Sequence, residues 1–329
     1  MSGSALSRRR KGISYSKWGY FFILPFFIIY FLFQFYPLFY TIYISFFENF
    51  RSGLKIIGPN WVGFDNYKAI FQEDLLKYFG NTMAIWLVGF IPQIALALVF
   101  ASWFTDLRLK LKATGFFKVV IYLPNIIMAS SIAVLFFNLF SDKGPINSLL
   151  AILTNNQDFF KYPTVFITRP FTEVWGTRGI AAFINFLMWY GQTTIILMAG
   201  IMGVDPSLYE SAQIDGANAG QTFRKITLPL IKPILLFTLV TSLIGGIQMF
   251  DIPQLLTNGQ GNPSQTSTTM VMFIYNNLFN KNYGKAGAIS VVLFVVSAIL
   301  SLIIFYLLRD EKQPKVKSNK KGGLGNELF

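Results

Sequence analysis

The chain of 329 residues contains no cysteine and no histidine. Those absences remove disulfides, thiol nucleophiles, imidazole acid–base chemistry and the usual zinc and copper ligand sets. Charge is scarce as well: 13% of residues are Asp, Glu, Lys or Arg, against about 25% in ordinary soluble domains. No G-x-x-x-x-G-K-S/T phosphate loop occurs, so the chain lacks that machinery for hydrolysing ATP. What is abundant is apolar surface, with 53% hydrophobic and 17% aromatic residues. The net charge of +13 would suit nucleic acid, but the basic residues fall in the gaps between apolar runs, which is the pattern of membrane topology. No nucleic acid partner is expected.

Six stretches are long enough to cross a bilayer, which takes about 20 apolar residues. They are Trp18–Phe47, Asn81–Phe104, Phe116–Phe140, Ile180–Met202, Ile234–Phe250 and Ala286–Leu308. The first contains Pro25 and Pro37. It is too long, and too closely preceded by Arg8, Arg9, Arg10 and Lys11, to read as a cleaved signal peptide. Segments 1–17, 105–118, 203–233 and 309–329 hold 18 of the 28 Lys and Arg residues, and the longer segments 48–80, 141–179 and 251–285 hold 10. The positive-inside rule then places both termini in the cytoplasm of a multi-pass cell-membrane protein. The expected organisation is all-α: a cytoplasmic segment 1–17, a six-helix membrane domain 18–308 and a basic tail 309–329. The tail is too polar to pack and is expected near anionic headgroups. Outside, Trp61–Phe79 mixes aromatics and charges at helical spacing, as an interfacial amphipathic helix or a docking surface would. The 141–179 segment, with "GPINSLL", is expected to pack as a small cap.

The most patterned polar segment is "YESAQIDGANAGQTFRKITLPLIKP", Tyr209–Pro233, inside an inner loop at 204–233. Asp205 followed by Pro206 predicts a helix start, an N-cap acceptor before proline at the first helical position. Leu208, Ser211, Ala212 and Asp215 share one face, with Glu210 beside it. Gly216 permits a turn that a Cβ would resist. Ala217–Ile226 can form a second short helix, ended at Pro229. An ordinary amphipathic connector is the plain reading. Small residues between acids instead suit a face that lets another surface come close.

This segment resembles the Glu-Ala-Ala loop of the permease subunits of ABC importers, through Glu210, Ala212, Asp215, Gly216, Ala217, Phe223, Ile226, Leu228, Pro229 and Pro233, with Ser211 in place of the middle alanine. "VGFDNY", "GNT", "YLPNIIMASSIAVLFFNLFSDKGPIN" and "FDIPQLLTNGQG" look like the maltose and oligosaccharide class, and Gly63–Tyr67 looks like the first of its two permease subunits. "TNGQGNP" departs from the family's Gly-Gly-Pro. The resemblance implies a type I ABC importer permease fold and a transport subunit rather than an enzyme. Glu210, Ser211, Ala212, Asp215, Gly216, Ala217, Phe223, Leu228 and Pro229 would couple to an ATPase. The implied partners are a second permease subunit, two ATPase subunits that hold the ATP and magnesium, and an external sugar-binding protein. No cofactor or metal is expected on this chain itself.

Polar residues inside spans are costly and default to functional candidates. Asn185, Trp189 and Gln192 fall on one face of the fourth span. Gln248, Phe250 and Asp251 follow a Gly245–Gly246 pair that would loosen the fifth. Asn125 and Asn138 of the third span are weaker candidates. By resemblance these parts of the fourth and fifth spans line a sugar path. The alternative for Asn185 and Gln192 is hydrogen bonding to neighbouring helices. Two other functions stay open. A polytopic membrane enzyme would need paired carboxylates or histidine. A permease for an anionic cargo would need Arg or Lys within the spans, and none is evident there.

Overall fold

The computed structural model describes residues 16–106, 109, 111–141, 144–154 and 170–308. Most of the expected N-terminal segment, the basic tail and the centre of the 141–179 segment lie outside the described residues. In chain order the elements begin with helix α1 (Ser16–Tyr30), a π turn (Phe31–Phe35), α2 (Tyr36–Ile44) and strands β1 (Phe47–Ser52) and β2 (Lys55–Trp61). Helices α3 (Asp65–Gln72), α4 (Leu75–Thr105), α5 (Thr114–Ile126), α6 (Ala129–Leu139), α7 (Pro145–Thr154) and α8 (Pro170–Met202) follow. Then come α9 (Pro206–Ile214), α10 (Ala219–Thr222), a second π turn (Phe223–Thr227), α11 (Leu228–Leu230), α12 (Lys232–Ile247), α13 (Asp251–Leu256), α14 (Met270–Phe279) and α15 (Tyr283–Leu308). Among the described residues five helical stretches can cross a membrane by length and composition, and six if the bent pair α5–α6 counts as one.

The chain forms two compact units. The first comprises residues up to 73 together with 274–292. Its apolar run Trp18–Ile44 passes through the π turn, where the Tyr36 N–H reaches back to the Phe31 carbonyl. Pro37 follows directly. Proline has no N–H and its ring crowds the carbonyl four residues back, and a widened turn gives it room. The same order of π turn, one residue and proline recurs at Phe223–Thr227, Leu228 and Pro229.

The described residues are helical as expected but for one small hairpin, β1–β2, which ends the first span at Ile44, short of Phe47. Ser52 pairs with Lys55 across the two-residue turn Gly53–Leu54, and Gly53 takes the positive φ (60°) such a turn demands at its first position. Phe46 stacks on Trp61 (5.7 Å) and meets Tyr67 (5.6 Å), which seats the hairpin base on α3. The expected helix over Trp61–Phe79 is therefore divided. Trp61 closes a strand, α3 is the amphipathic part, and the extended Glu73 separates it from α4.

The second unit holds residues 74–273 and the chain from 293. Its centre is the pair α4–α8. Ile85, Ile184, Met188, Met249, Ile252 and Leu256 belong to one buried cluster, and Ala97, Ala101, Leu197, Met198, Ile201 and Ile231 to another. Between the two, Gln93 Nε2 donates to Thr193 Oγ1 at 2.8 Å, a buried polar tie from α4 to α8.

The expected third span is not one rod. α5 and α6 meet at 87°, because Ile127 and Met128 are extended (ψ 136° in both). Pro124 precedes the break, and Asn125 turns its side chain to α8. The expected loosening at Gly245–Gly246 is also corrected: α12 runs through both to Ile247, and the chain breaks at Gln248–Phe250 instead. Gly246 is needed for close approach, since a Cβ there would lie 2.0 Å from Trp86 Cδ1.

Candidate coupling element and translocation path

The 204–233 loop is a chain of short, well-terminated helices. Asp205 caps α9 as its neighbours predict, accepting from the Ser207 N–H at 3.0 Å, with Pro206 at the start of the helix. That hydrogen bond to the backbone holds the exposed Asp205 carboxyl below the usual carboxylate range. The far end of α9 closes doubly, Ala217 N–H to Ala212 O (2.9 Å) and Gly216 N–H to Gln213 O (3.1 Å), with Gly216 at φ 76°. This is the Schellman arrangement, which satisfies the last carbonyls and needs a left-handed residue at Gly216. The next helix starts at Ala219 rather than Ala217, because Asn218 and Gln221 form a reciprocal capping box with both bonds at 2.9 Å. Pro229 does not end it. The widened turn carries the helix through Pro229 to Leu230, and the chain turns at Ile231.

The exposed face differs from the one spacing suggested. Ala212 and Tyr209 turn inward, Ala212 being 7% exposed, so the small face is split. Glu210, Ser211, Asp215 and Gly216 are exposed, Ala217, Phe223 and Leu228 half-buried, and Pro229 exposed. Ile214, which the sequence reading passed over, is 86% exposed. Its signal was an apolar residue four positions after Glu210 on a polar surface. The C-terminal ends of α4 and α8 and this loop enclose a cleft of about 660 Å³, lined by Leu98, Trp103, Met202, Tyr209, Glu210 and Phe223 among others.

On α8, Asn185 is buried, while Trp189 is exposed. Gln192 is half-buried, and its Oε1 accepts from Asn125 Nδ2 at 3.1 Å, which also donates to Met188 O (3.1 Å). Gln192 thus has the helix-bridging bond that was its alternative reading, and Asn125 is its partner. Asn138 bonds within its own helix, to Val134 O. In the fifth span Gln248 and Asp251 are exposed and Phe250 half-buried. Met249 and Ile252, interleaved with them, join Ile184 and Met188 in one cluster, so the two candidate stretches share a neighbourhood.

Sequence reasoning missed a polar cluster at the N-terminal ends of α4 and α8. Arg178 Nη2 donates to Asn81 Oδ1, and Arg178 Nε to Thr266 O at 2.8 Å. Asn81 Nδ2 donates to Gln265 O and Thr268 O, both at 3.0 Å. Arg178 lies within the candidate span Trp175–Met202, which corrects the expectation that no Arg stands in a span. Its fork is already engaged by protein oxygens. The only sequence hint was an arginine just ahead of an apolar run.

Residues 93–313 match the family described as binding-protein-dependent transport system inner membrane component, and the chain belongs to that family. It is 30% identical to the lactose transport system permease protein LacF of Rhizobium radiobacter, over 89% of this chain and 95% of that protein. It is 29% identical to the probable ABC transporter permease protein YesP of Bacillus subtilis, over 93% and 96%. Among solved structures, a bacterial alginate ABC transporter in complex with an alginate pentasaccharide-bound periplasmic protein contains a chain with TM-score 0.69 and 26% identity, covering 89% of this chain and 95% of that one.

Proposed function

We propose that the chain is the permease subunit of an ATP-driven importer for a sugar of one or several units, handed over by an external binding protein. The observation that carries this reading is the doubly terminated element from Asp205 to Ile231 in a chain of a binding-protein-dependent family. Sugar cargo is supported by the lactose and alginate named for its relatives. It is also supported by the pairing of a buried amide, Asn185, with an aromatic face, Trp189, the residue types that meet hydroxyls and ring faces. Both termini lie in the cytoplasm, and the chain pairs with a second permease and two ATPase subunits, which hold the ATP and magnesium.

In this reading the ATPase subunits dock on the exposed side of α9, around Glu210, Ile214 and Asp215. Residue 205 follows α8 by three positions, and α12 begins one position after Ile231. A push on the element therefore acts on α8, which bears Asn185, Trp189 and Gln192, and on α12, which leads into the break carrying Gln248 and Phe250 and on to Asp251. Their rocking is an alternating-access movement.

The test is affinity purification of this chain from its native membrane, with mass spectrometry of its partners. A second permease, an ATPase and a sugar-binding protein are expected; this chain alone, even after cross-linking, would reject the reading. Gly216→Pro and Asp215→Arg should abolish uptake while the protein still inserts. Asn185→Ala and Trp189→Ala should change sugar-stimulated ATP turnover, and equal turnover across several sugars would remove both from the path.

A further inference from the structure

The cluster around Arg178 has more order than a helix contact needs. Ser264 and Gln265 both stand at positive φ (48° and 58°), a conformation that non-glycine residues adopt at a cost and that needs support from its surroundings. The support is concentrated there. Tyr78 Oη donates to Gln265 Oε1, and the Asn81 amide spends both its hydrogens on Gln265 and Thr268 carbonyls and its oxygen on Arg178. Arg178 takes the Thr266 carbonyl with Nε and lies 5.6 Å from the Trp175 ring centroid. Ser267, Thr268 and Thr269 are fully or nearly fully buried.

The same segment holds a second, distant point. Thr269 Oγ1 donates to Met249 O at 2.8 Å, inside the Gln248–Phe250 break. The carbonyl it takes belongs to the residue between Gln248 and Phe250. The 264–269 segment is thus hydrogen-bonded at one end to the N-terminal ends of α4 and α8 and at the other to the break in the fifth span.

We propose that Arg178 and Asn81 are positioning residues for the sugar path: they clamp the 264–269 segment, and through Thr269 they fix the backbone that presents Gln248, Phe250 and Asp251. The assignment of those three to a sugar rests on the function proposed above; the clamp itself does not. Neither Arg178 nor Asn81 is assigned contact with sugar.

The chain has no cysteine, so a pair of introduced cysteines is labelled without background from this chain, and the unmutated complex, labelled in the same way, gives the contribution of its partners. Spin labels at Leu76→Cys and Gln260→Cys, both exposed positions, would be read by pulsed electron paramagnetic resonance in the complex purified through this chain. A narrow distance distribution is expected for the parent, a broad one for Arg178→Gln and Asn81→Ala, and an intermediate one for Arg178→Lys, which keeps the charge but not the fork. In parallel, the concentration of sugar-loaded binding protein that half-saturates ATP hydrolysis should move about threefold or more in Arg178→Gln. Thr269→Val should move that concentration, or the order of preference among sugars, while leaving the label distance unchanged. This near-isosteric variant decides the matter if Arg178→Gln does not assemble. An unchanged distribution in the Arg178 and Asn81 variants overturns the clamp, and an unaltered response in Thr269→Val overturns its link to the path. If the parent complex responds to no sugar-loaded protein, the transport reading fails, and the distance measurement still judges the clamp.

Discussion

The first and fourth long helices are both apolar enough to span a bilayer, yet they stand at opposite extremes of burial. None of the most apolar stretch of Trp18–Ile44 is buried, and every side chain from Trp18 to Tyr40 is exposed. In Trp175–Met202, 56% of the corresponding stretch is buried. One helix is specified by composition and little else. The other is specified position by position, with small residues where backbones meet and polar ones where they bridge. Hydropathy detects both and cannot tell them apart.

Matched substitutions test this contrast. The largest effect is expected at Gly191, where a Cβ would lie 1.9 Å from Ile121 O, against Gly19 of α1, whose Cβ would meet nothing within 4 Å. Gly191→Leu should destabilise the folded protein by about 3 kcal/mol through overpacking, and Gly19→Leu should leave it unchanged, as read by thermal unfolding in detergent. Equal effects would erase the distinction. A smaller difference is expected between polar residues. Gln93→Leu removes the buried bond to Thr193, a loss of about 0.6 kcal/mol by the average for such bonds in membranes. Gln34→Leu, in the exposed first span, should be neutral or mildly stabilising. The smallest effect concerns the loop. The Asp205 carboxyl is held below its ordinary value by the Ser207 N–H. Its contribution is therefore complete above the unfolded carboxylate pKa, about 3.9, and is lost as pH falls through the lower folded value. Protection of the first-turn amides of α9, taken as exchange relative to each amide's intrinsic rate at that pH, should fall only in that acidic window, and in Asp205→Ala at every pH. Protection in the parent that falls near neutrality would refute the cap.

The same contrast explains what could be read from the residues. Long apolar runs located the membrane-crossing stretches, and Asp205, Pro206 and Gly216 announced their turns, because caps and left-handed glycines are local chemistry. The Asn218–Gln221 box was equally local, an Asn-x-x-Gln pair overlooked among small residues. The hairpin was hidden because its first strand, Phe47–Ser52, continues the aromatic run of the first span. Its signal was Gly53 between alternating residues. The orientation of Ala212 was not legible, since helical spacing groups residues on a face without saying which way the face turns. The Arg178 cluster was further out of reach, as its bonds join residues that are 88 to 187 positions apart.

The right-angled break at Ile127–Met128 bears on how the protein is made. α5 has 13 residues and α6 has 11, which at 1.5 Å per residue give lengths of about 20 and 17 Å. A hydrocarbon layer is about 30 Å thick, so neither half bridges it alone. The backbone between them is extended, and Asn125 is held by Met188 and Gln192 on α8, a helix that emerges later from the ribosome. The seat of this hydrophobic segment thus rests on a helix that follows it in the chain and not on its own length alone.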